Sequence, residues 1–159
     1  MQTIERIVRE HPFFQGLDEA SSTLIAGCAR NAVFHVGEHL FREGEPADLF
    51  FLLRHGKVAL EFNAPGREPL TFATLQEGEV LGAAWLFPPY RWSYDARAVE
   101  LTRAVALDGK CLREKAERDH DFGYELMKRF VPVFARRLQQ TRLQLLDVYG
   151  RPRTGGGRP

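Results

Sequence analysis

From residue 33 to residue 108 the chain carries no apolar stretch long enough to make a helix of ordinary length. Short apolar runs are cut instead by Gly, Pro or Asn at intervals of about ten residues, the spacing of a β-sandwich or barrel. The runs read as strands at Ala32–Val36, His39–Arg42, Leu49–Arg54, Lys57–Asn63, Pro69–Leu75, Glu79–Leu81, Tyr94–Ala98 and Arg103–Asp108. The punctuation has a mechanism. Gly44 and Gly56 can supply a positive φ, and Pro65-Gly66 has the chemistry of a hairpin turn.

The flanks have a different period. Ile4, Ile7 and Val8 recur at helical spacing. His11-Pro12 interrupts them, because a residue before proline avoids the helical region. Asp18 or Ser21 then caps a second run with Leu24, Ile25 and Cys28 on one face, and Phe13, Phe14 and Leu17 form an apolar knuckle between the two. Residues 110–149 return to helix. Leu112, Lys115 and Ala116 start it, and Phe122, Leu126, Phe130, Phe134, Leu138, Leu145 and Val148 make a stripe along a longer run. Pro132 lies inside that run and predicts a kink or break near Arg129–Val131. The stripe is longer than one small barrel can cover, which predicts a homodimer through the 122–148 helix. Residues 150–159 are Gly, Pro and Arg apart from Thr154, with almost nothing apolar, and are predicted to be a disordered tail. The expected architecture is α+β, one domain over residues 1–149: N-terminal helices to residue 30, a roll of about eight strands over 32–108, and C-terminal helices over 110–149.

Charge and chemistry exclude several functions. The net charge is +1, against a dedicated nucleic-acid binder. Residues 1–109 carry 10 basic and 15 acidic side chains, whereas residues 110–159 carry 12 and 6, so the C-terminal part either presents a solvated helix face or meets an acidic partner. Cys28 and Cys111 lie far apart and outside any metal-ligand spacing, and are expected to be reduced, half-buried thiols. The five histidines are scattered, and there is no GxSxG, phosphate-cradling GKS/T loop or HExxH, so neither an enzyme nor a metal site is expected. No apolar run reaches the roughly 18 residues of a membrane span, and the N-terminus has no signal-peptide core, so a cytoplasmic protein without a membrane anchor is expected.

The segment Gly37-Glu38-His39-Leu40-Phe41-Arg42-Glu43-Gly44-Glu45-Pro46-Ala47-Asp48-Leu49-Phe50-Phe51-Leu52-Leu53-Arg54-His55-Gly56-Lys57-Val58 closely resembles the cyclic nucleotide-binding domain family, in its catabolite-activator type. The pattern is a glycine, an apolar-aromatic pair, Gly-Glu, Asp, an aromatic-aliphatic strand and Gly-x-Val. His11-Pro12-Phe13-Phe14-Gln15-Gly16-Leu17 is similar to the family's N-terminal knuckle, so the resemblance covers residues 1 to about 149. It implies a β-jelly-roll with a phosphate-binding cassette, a ligand such as cAMP, cGMP or another cyclic nucleotide, no further cofactor, and a dimer helix. Asp147-Val148-Tyr149-Gly150-Arg151 is similar to the hinge that leads to a DNA-binding domain in that family, and no DNA-binding domain is expected from the few polar residues that follow it here.

The cassette corresponds to Gly78–Ala98. Backbone amides of a short helix after Gly82 would receive an anion, so Leu81, Gly82, Ala83 and Ala84 are candidate ligand residues. The sequence departs from the family where the family reads its ligand. Ala83 stands where the family has a glutamate for the ribose hydroxyl. Trp92 stands where it has the phosphate-clamping arginine, followed by a matching hydroxyl at Ser93. Arg91, one position earlier, is the candidate for the missing charge. A lost charge-assisted contact costs about 1.5–3 kcal/mol. The replacements are aromatic: Trp85, Tyr90, Trp92 and Tyr94. Either an indole stacks on a flat ligand, or Trp92 fills the old ligand space as core. On the last helix Thr141 falls where the resemblance implies a contact to the base, and its hydroxyl can equally bond its own backbone. Two functions are therefore expected as alternatives: a small-molecule sensor signalling through its C-terminal helix to a protein partner, or a ligand-free dimerisation and interaction module. Arg97 is expected on the outer strand surface.

Overall fold

A computed structural model describes residues 3–149. Helix α1 (Ile4–Glu10), a 3-10 turn (Pro12–Phe14) and helix α2 (Glu19–Ala26) precede eight strands: β1 (Ala29–Phe34), β2 (His39–Phe41), β3 (Leu49–His55), β4 (Lys57–Phe62), β5 (Leu70–Gln76), β6 (Val80–Leu81), β7 (Asp95–Ala98) and β8 (Thr102–Asp108). A second 3-10 turn (Ala84–Leu86) lies between β6 and β7, and helices α3 (Gly109–Arg118) and α4 (His120–Tyr149) complete the described residues. The strands form two four-stranded antiparallel sheets, ordered β1-β8-β3-β6 and β2-β7-β4-β5. This is a jelly roll, as the sequence implied, and every strand falls within two or three residues of its expected bounds.

Period-two alternation explains how one roll serves two cores. On β3, Phe50 and Leu52 face the helices while Phe51 and Leu53 face the interior of the roll. On β8, Val105 and Leu107 face the helices and Ala104 and Ala106 the interior. Strands buried on both faces read as continuous apolar runs, which is why Leu49–Leu53 shows no alternation. The outer core joins Val8, Phe14, Ile25, Trp85, Leu112 and Phe130. Gly56 shows why a turn glycine is needed: its φ is +99° and a Cβ there would lie 2.5 Å from the Leu101 carbonyl oxygen. Asp18 caps α2 by accepting the Ser21 N–H at 2.7 Å.

Two expectations need correction. Cys28 and Cys111 are joined in a disulfide, not left as thiols, with Cα atoms 6.0 Å apart. Their separation of 83 residues hid a simple fact of topology: the end of α2 and the first turn of α3 pack side by side across the end of the β1-β8 pair. Of the kink or break expected at Pro132, the break does not occur: α4 runs from His120 to Tyr149 as one element. The apolar stripe exceeds what the roll covers, as its length implied. Phe122, Leu126 and Phe130 are buried, whereas Phe134, Leu138 and Leu145 are exposed. The expected disordered tail, residues 150–159, lies outside the described residues.

Candidate ligand site

The cassette begins where β6 ends. Gly82 has φ +96°, which lets the chain turn away from Leu81. Ala83 follows with no side-chain cap, and Ala84–Leu86 make one 3-10 turn. Trp85 leaves this turn toward the helices. It is fully buried, stacked on Phe50 with ring centroids 4.8 Å apart and edge-on to Phe130 at 5.3 Å. Trp85 is therefore an anchor of the outer core, not a platform for a ligand.

Trp92 turns the other way, into the roll. It is 5% exposed and stacks on Phe41 at 3.6 Å with the rings 7° from parallel. Its outer edge lies on Gly82: a Cβ at Gly82 would stand 2.5 Å from Trp92 Cη2 and 2.8 Å from Cζ3. The space that a glycine leaves for a phosphate is occupied by the indole. Backbone pairing holds it there, with Trp92 N–H donating to the Glu45 carbonyl and Gly44 N–H donating to the Trp92 carbonyl.

A cavity of about 260 Å³ remains beside the indole. Its floor is Phe62 and Phe72 of the sheet. One side is Gly82, Ala83, Ala84, Phe87, Trp92, Ser93 and Tyr94, and the roof is Val133, Phe134, Arg137, Leu138 and Thr141 of α4. Arg137 is the only charged side chain in this lining. It donates to Gln140 Oε1 at 3.0 Å and to the Val80 carbonyl at 3.4 Å. Among the described residues no carboxylate lies within ion-pair distance of it; Glu79, in longer electrostatic range, pairs with Arg136 at 3.9 Å. Burial pulls the Arg137 pKa below its ordinary value, against the opposing effects of Tyr94 and Glu79. Burial pushes the Tyr94 phenol up, so it remains a neutral donor beside this guanidinium.

Of the candidate residues, Gly82, Ala83, Ala84, Trp92, Ser93 and Thr141 meet around the cavity. Leu81 does not: it is fully buried in the inner core. Arg91 does not line the cavity either. It is exposed, and its Nη1 donates to the Gly44 carbonyl at 2.7 Å, while a bridge to Pro46 fixes its backbone. Thr141 donates its hydroxyl to the Arg137 carbonyl at 2.9 Å. Arg97 is half-buried and pairs with Glu61 at 2.7 Å. The residue that sequence reasoning missed is Arg137. Its signal was available, since Phe134, Arg137, Leu138 and Thr141 stand at i, i+3, i+4 and i+7 on one helix face. Among the described residues no group of side chains could hold a metal ion, and no helix is long and apolar enough to cross a membrane.

A jelly roll whose largely apolar cavity is roofed by a C-terminal helix defines a class of regulatory ligand-binding domains. The chain belongs to the cyclic nucleotide-binding domain family, whose model matches residues 32–119, more than half of its length. It is 29% identical over 147 residues to a CRP-like cAMP-activated global transcriptional regulator of Mycobacterium tuberculosis, covering 91% of this chain. This chain spans 63% of that regulator's length. A Geobacter metallireducens protein named for cyclic nucleotide binding superposes with a TM-score of 0.76 at 29% identity, over 87% of this chain and 99% of that one. The Thermus thermophilus catabolite activator protein gives 0.67 at 27% identity, over 84% of this chain and 61% of that one.

Proposed function

We propose that the chain is a non-catalytic sensing module of the cytoplasm. It binds a cyclic nucleotide or a related small anionic molecule between its cassette and α4, and relays occupancy through α4 to a partner. One observation carries this reading: α4 supplies the whole roof of the cavity and its only charge, so a molecule held there contacts α4 directly. A ligand that favours one placement of the helix shifts the population toward it. Gly82, Ala83, Ala84, Trp92, Ser93 and Thr141 are the proposed lining, with Arg137 as counter-charge. Beyond the roof α4 exposes Leu143, Leu145 and Leu146, the last at 64%, a surface suited to a second copy in a homodimer. The family relative from Mycobacterium tuberculosis makes cAMP the first ligand to try.

A second reading draws on Trp92. With the indole on Gly82, the roll can act as a ligand-free scaffold that presents α4 to a protein. Thermal unfolding against cAMP, cGMP, cyclic dinucleotides and 1-naphthoate separates the two. A native-state ligand at a hundred times its dissociation constant adds about 2.7 kcal/mol, which is several degrees at this size. A shift with any one, accompanied by slowed amide exchange in α4, supports the sensor. A folded protein that none of them shifts refutes it and leaves the scaffold.

A further inference from the structure

Resting on the sensor reading, we infer that the ligand of this chain is a small aromatic carboxylate whose anion pairs with Arg137 and whose ring lies among Phe62, Phe72, Tyr94 and Phe134. Four observations converge on it. The Gly82 backbone is closed by the Trp92 ring edge, so a cyclic phosphate has no close approach there. The cavity lining holds no carboxylate, and Ala83 and Ala84 offer only methyl groups, so a ribose hydroxyl has no anionic acceptor. The walls are aromatic and the volume of about 260 Å³ sits just under the usual range for ligand pockets, roughly 300–1,000 Å³, which suits one or two fused rings rather than a larger molecule.

The fourth observation is Arg137 itself. Its planar fork has five N–H donors, of which two are engaged by Gln140 and the Val80 carbonyl. A carboxylate matches the remaining donors in a paired geometry that a lysine could not offer. Tyr94, held neutral by burial, and Ser93 stand in the same lining with hydroxyls to offer to the anion. Arg136 and Glu79 are the other charges in electrostatic range, and they pair with each other. The apolar part of the ligand gains from burial against four aromatic rings, and the charged part from a guanidinium that burial has left short of solvent.

Calorimetric titration of the full chain with 1-naphthoate, with 1-naphthalenemethanol and with cAMP tests this. The two naphthalenes share a ring and differ in charge. We expect the carboxylate to bind at least tenfold more tightly than the alcohol. Arg137→Gln should weaken the carboxylate tenfold or more and leave the alcohol unchanged, with Arg137→Lys between. Equal affinity for carboxylate and alcohol on the unaltered protein would overturn the inference without any variant having to fold. Binding of cAMP with both naphthalenes silent would overturn it and retain the sensor reading. Silence of all three would overturn it and leave the sensor reading to the thermal test with cGMP and the cyclic dinucleotides.

Discussion

Gly82→Ala probes the contact on which the closed cradle depends, and its cost has two separable parts. At φ +96° a Cβ meets its own backbone unfavourably, which costs about 1–2 kcal/mol. The same Cβ would stand 2.5 Å from Trp92 Cη2, with Phe50 Cβ behind it at 3.6 Å, so the indole must shift. Overpacking of a filled core costs about 1–3 kcal/mol. The total is about 2–5 kcal/mol, or a midpoint lowered by about 4–20 °C at roughly 2–4 °C per kcal/mol. Trp92→Phe removes the ring edge that touches Gly82 while retaining a ring against Phe41. In that background only the backbone part remains, and Gly82→Ala should cost about 1–2 kcal/mol. Urea unfolding of the four proteins, followed by far-UV circular dichroism, gives the coupling directly. A coupling of about 1–3 kcal/mol is expected, well beyond the few tenths seen for independent sites. Equal costs in the two backgrounds would show that the indole does not lie on Gly82, and the closed cradle would fall with it.

Three further outcomes follow from other parts of the molecule. The Cys28–Cys111 bond closes a separation of 83 residues, worth roughly 4.5 kcal/mol by loop entropy, so reduction with dithiothreitol should lower the midpoint by on the order of 10 °C. A thiol assay on the denatured, unreduced protein should find no free cysteine, and two would refute the bond. His11 is buried, with Nδ1 accepting the Phe13 N–H at 3.2 Å and Nε2 3.3 Å from the Leu53 carbonyl. Burial lowers its pKa, Arg54 adds to this, and the contact with the Leu53 carbonyl opposes it. The unfolded chain, near the ordinary value of about 6.5, takes up the proton first. Its stabilisation is therefore complete above that pH and lost as the pH falls toward the lower folded value, so thermal midpoints from pH 7.5 to 5.5 should decline more steeply than in His11→Gln. Arg91→Ala should leave ligand affinity unchanged and cost about 0.5–1.5 kcal/mol through its bond to Gly44, both readable by titration and urea unfolding; a tenfold loss of affinity would return Arg91 to the site.

The strands were legible because each carries its period and its turn chemistry locally. The site was legible only in part. Ala83 and Trp92 could be marked as departures from a pattern, but whether Trp92 faced a ligand or the core depends on Phe41, 51 residues earlier, and on the backbone of Gly82. Arg91 was favoured because it adjoins Trp92 in sequence. On a strand-like segment adjacent residues point to opposite sides, so Arg91 turns outward when Trp92 turns in. The cation that does line the cavity comes from 45 residues further on, where only helix periodicity, and no neighbourhood in sequence, could indicate it. The disulfide escaped for the same reason: the pairing of β1 with β8 brings its two ends together, and neither cysteine carries a local sign of the other.

Three arginines hold α4 to the rest of the molecule. Arg129 donates to the Gln15 carbonyl at 2.9 Å, Arg136 lies 3.9 Å from Glu79, and Arg137 donates to the Val80 carbonyl at 3.4 Å. The last is the longest of the hydrogen bonds and the only one of these contacts made by a residue that also lines the cavity. In a reader whose anion rests on the cassette, occupancy must pass from loop to helix before it can be sensed. Here the charged residue of the cavity lining is on the helix. On the proposed reading an anion bound at Arg137 through its remaining donors adds an attachment between ligand and α4 at that point of the helix. Leu143, Leu145 and Leu146 begin within two helical turns of that point and have no cover of their own. On the proposed reading, whatever the occupant does to the angle of Arg137 is inherited directly by the surface that a second copy would meet. A ligand shifts that surface only by its difference in affinity for the two helix placements. On that reading, aromatic contacts to the sheet floor, made at the same time as the contact to an arginine of α4, are what create such a difference.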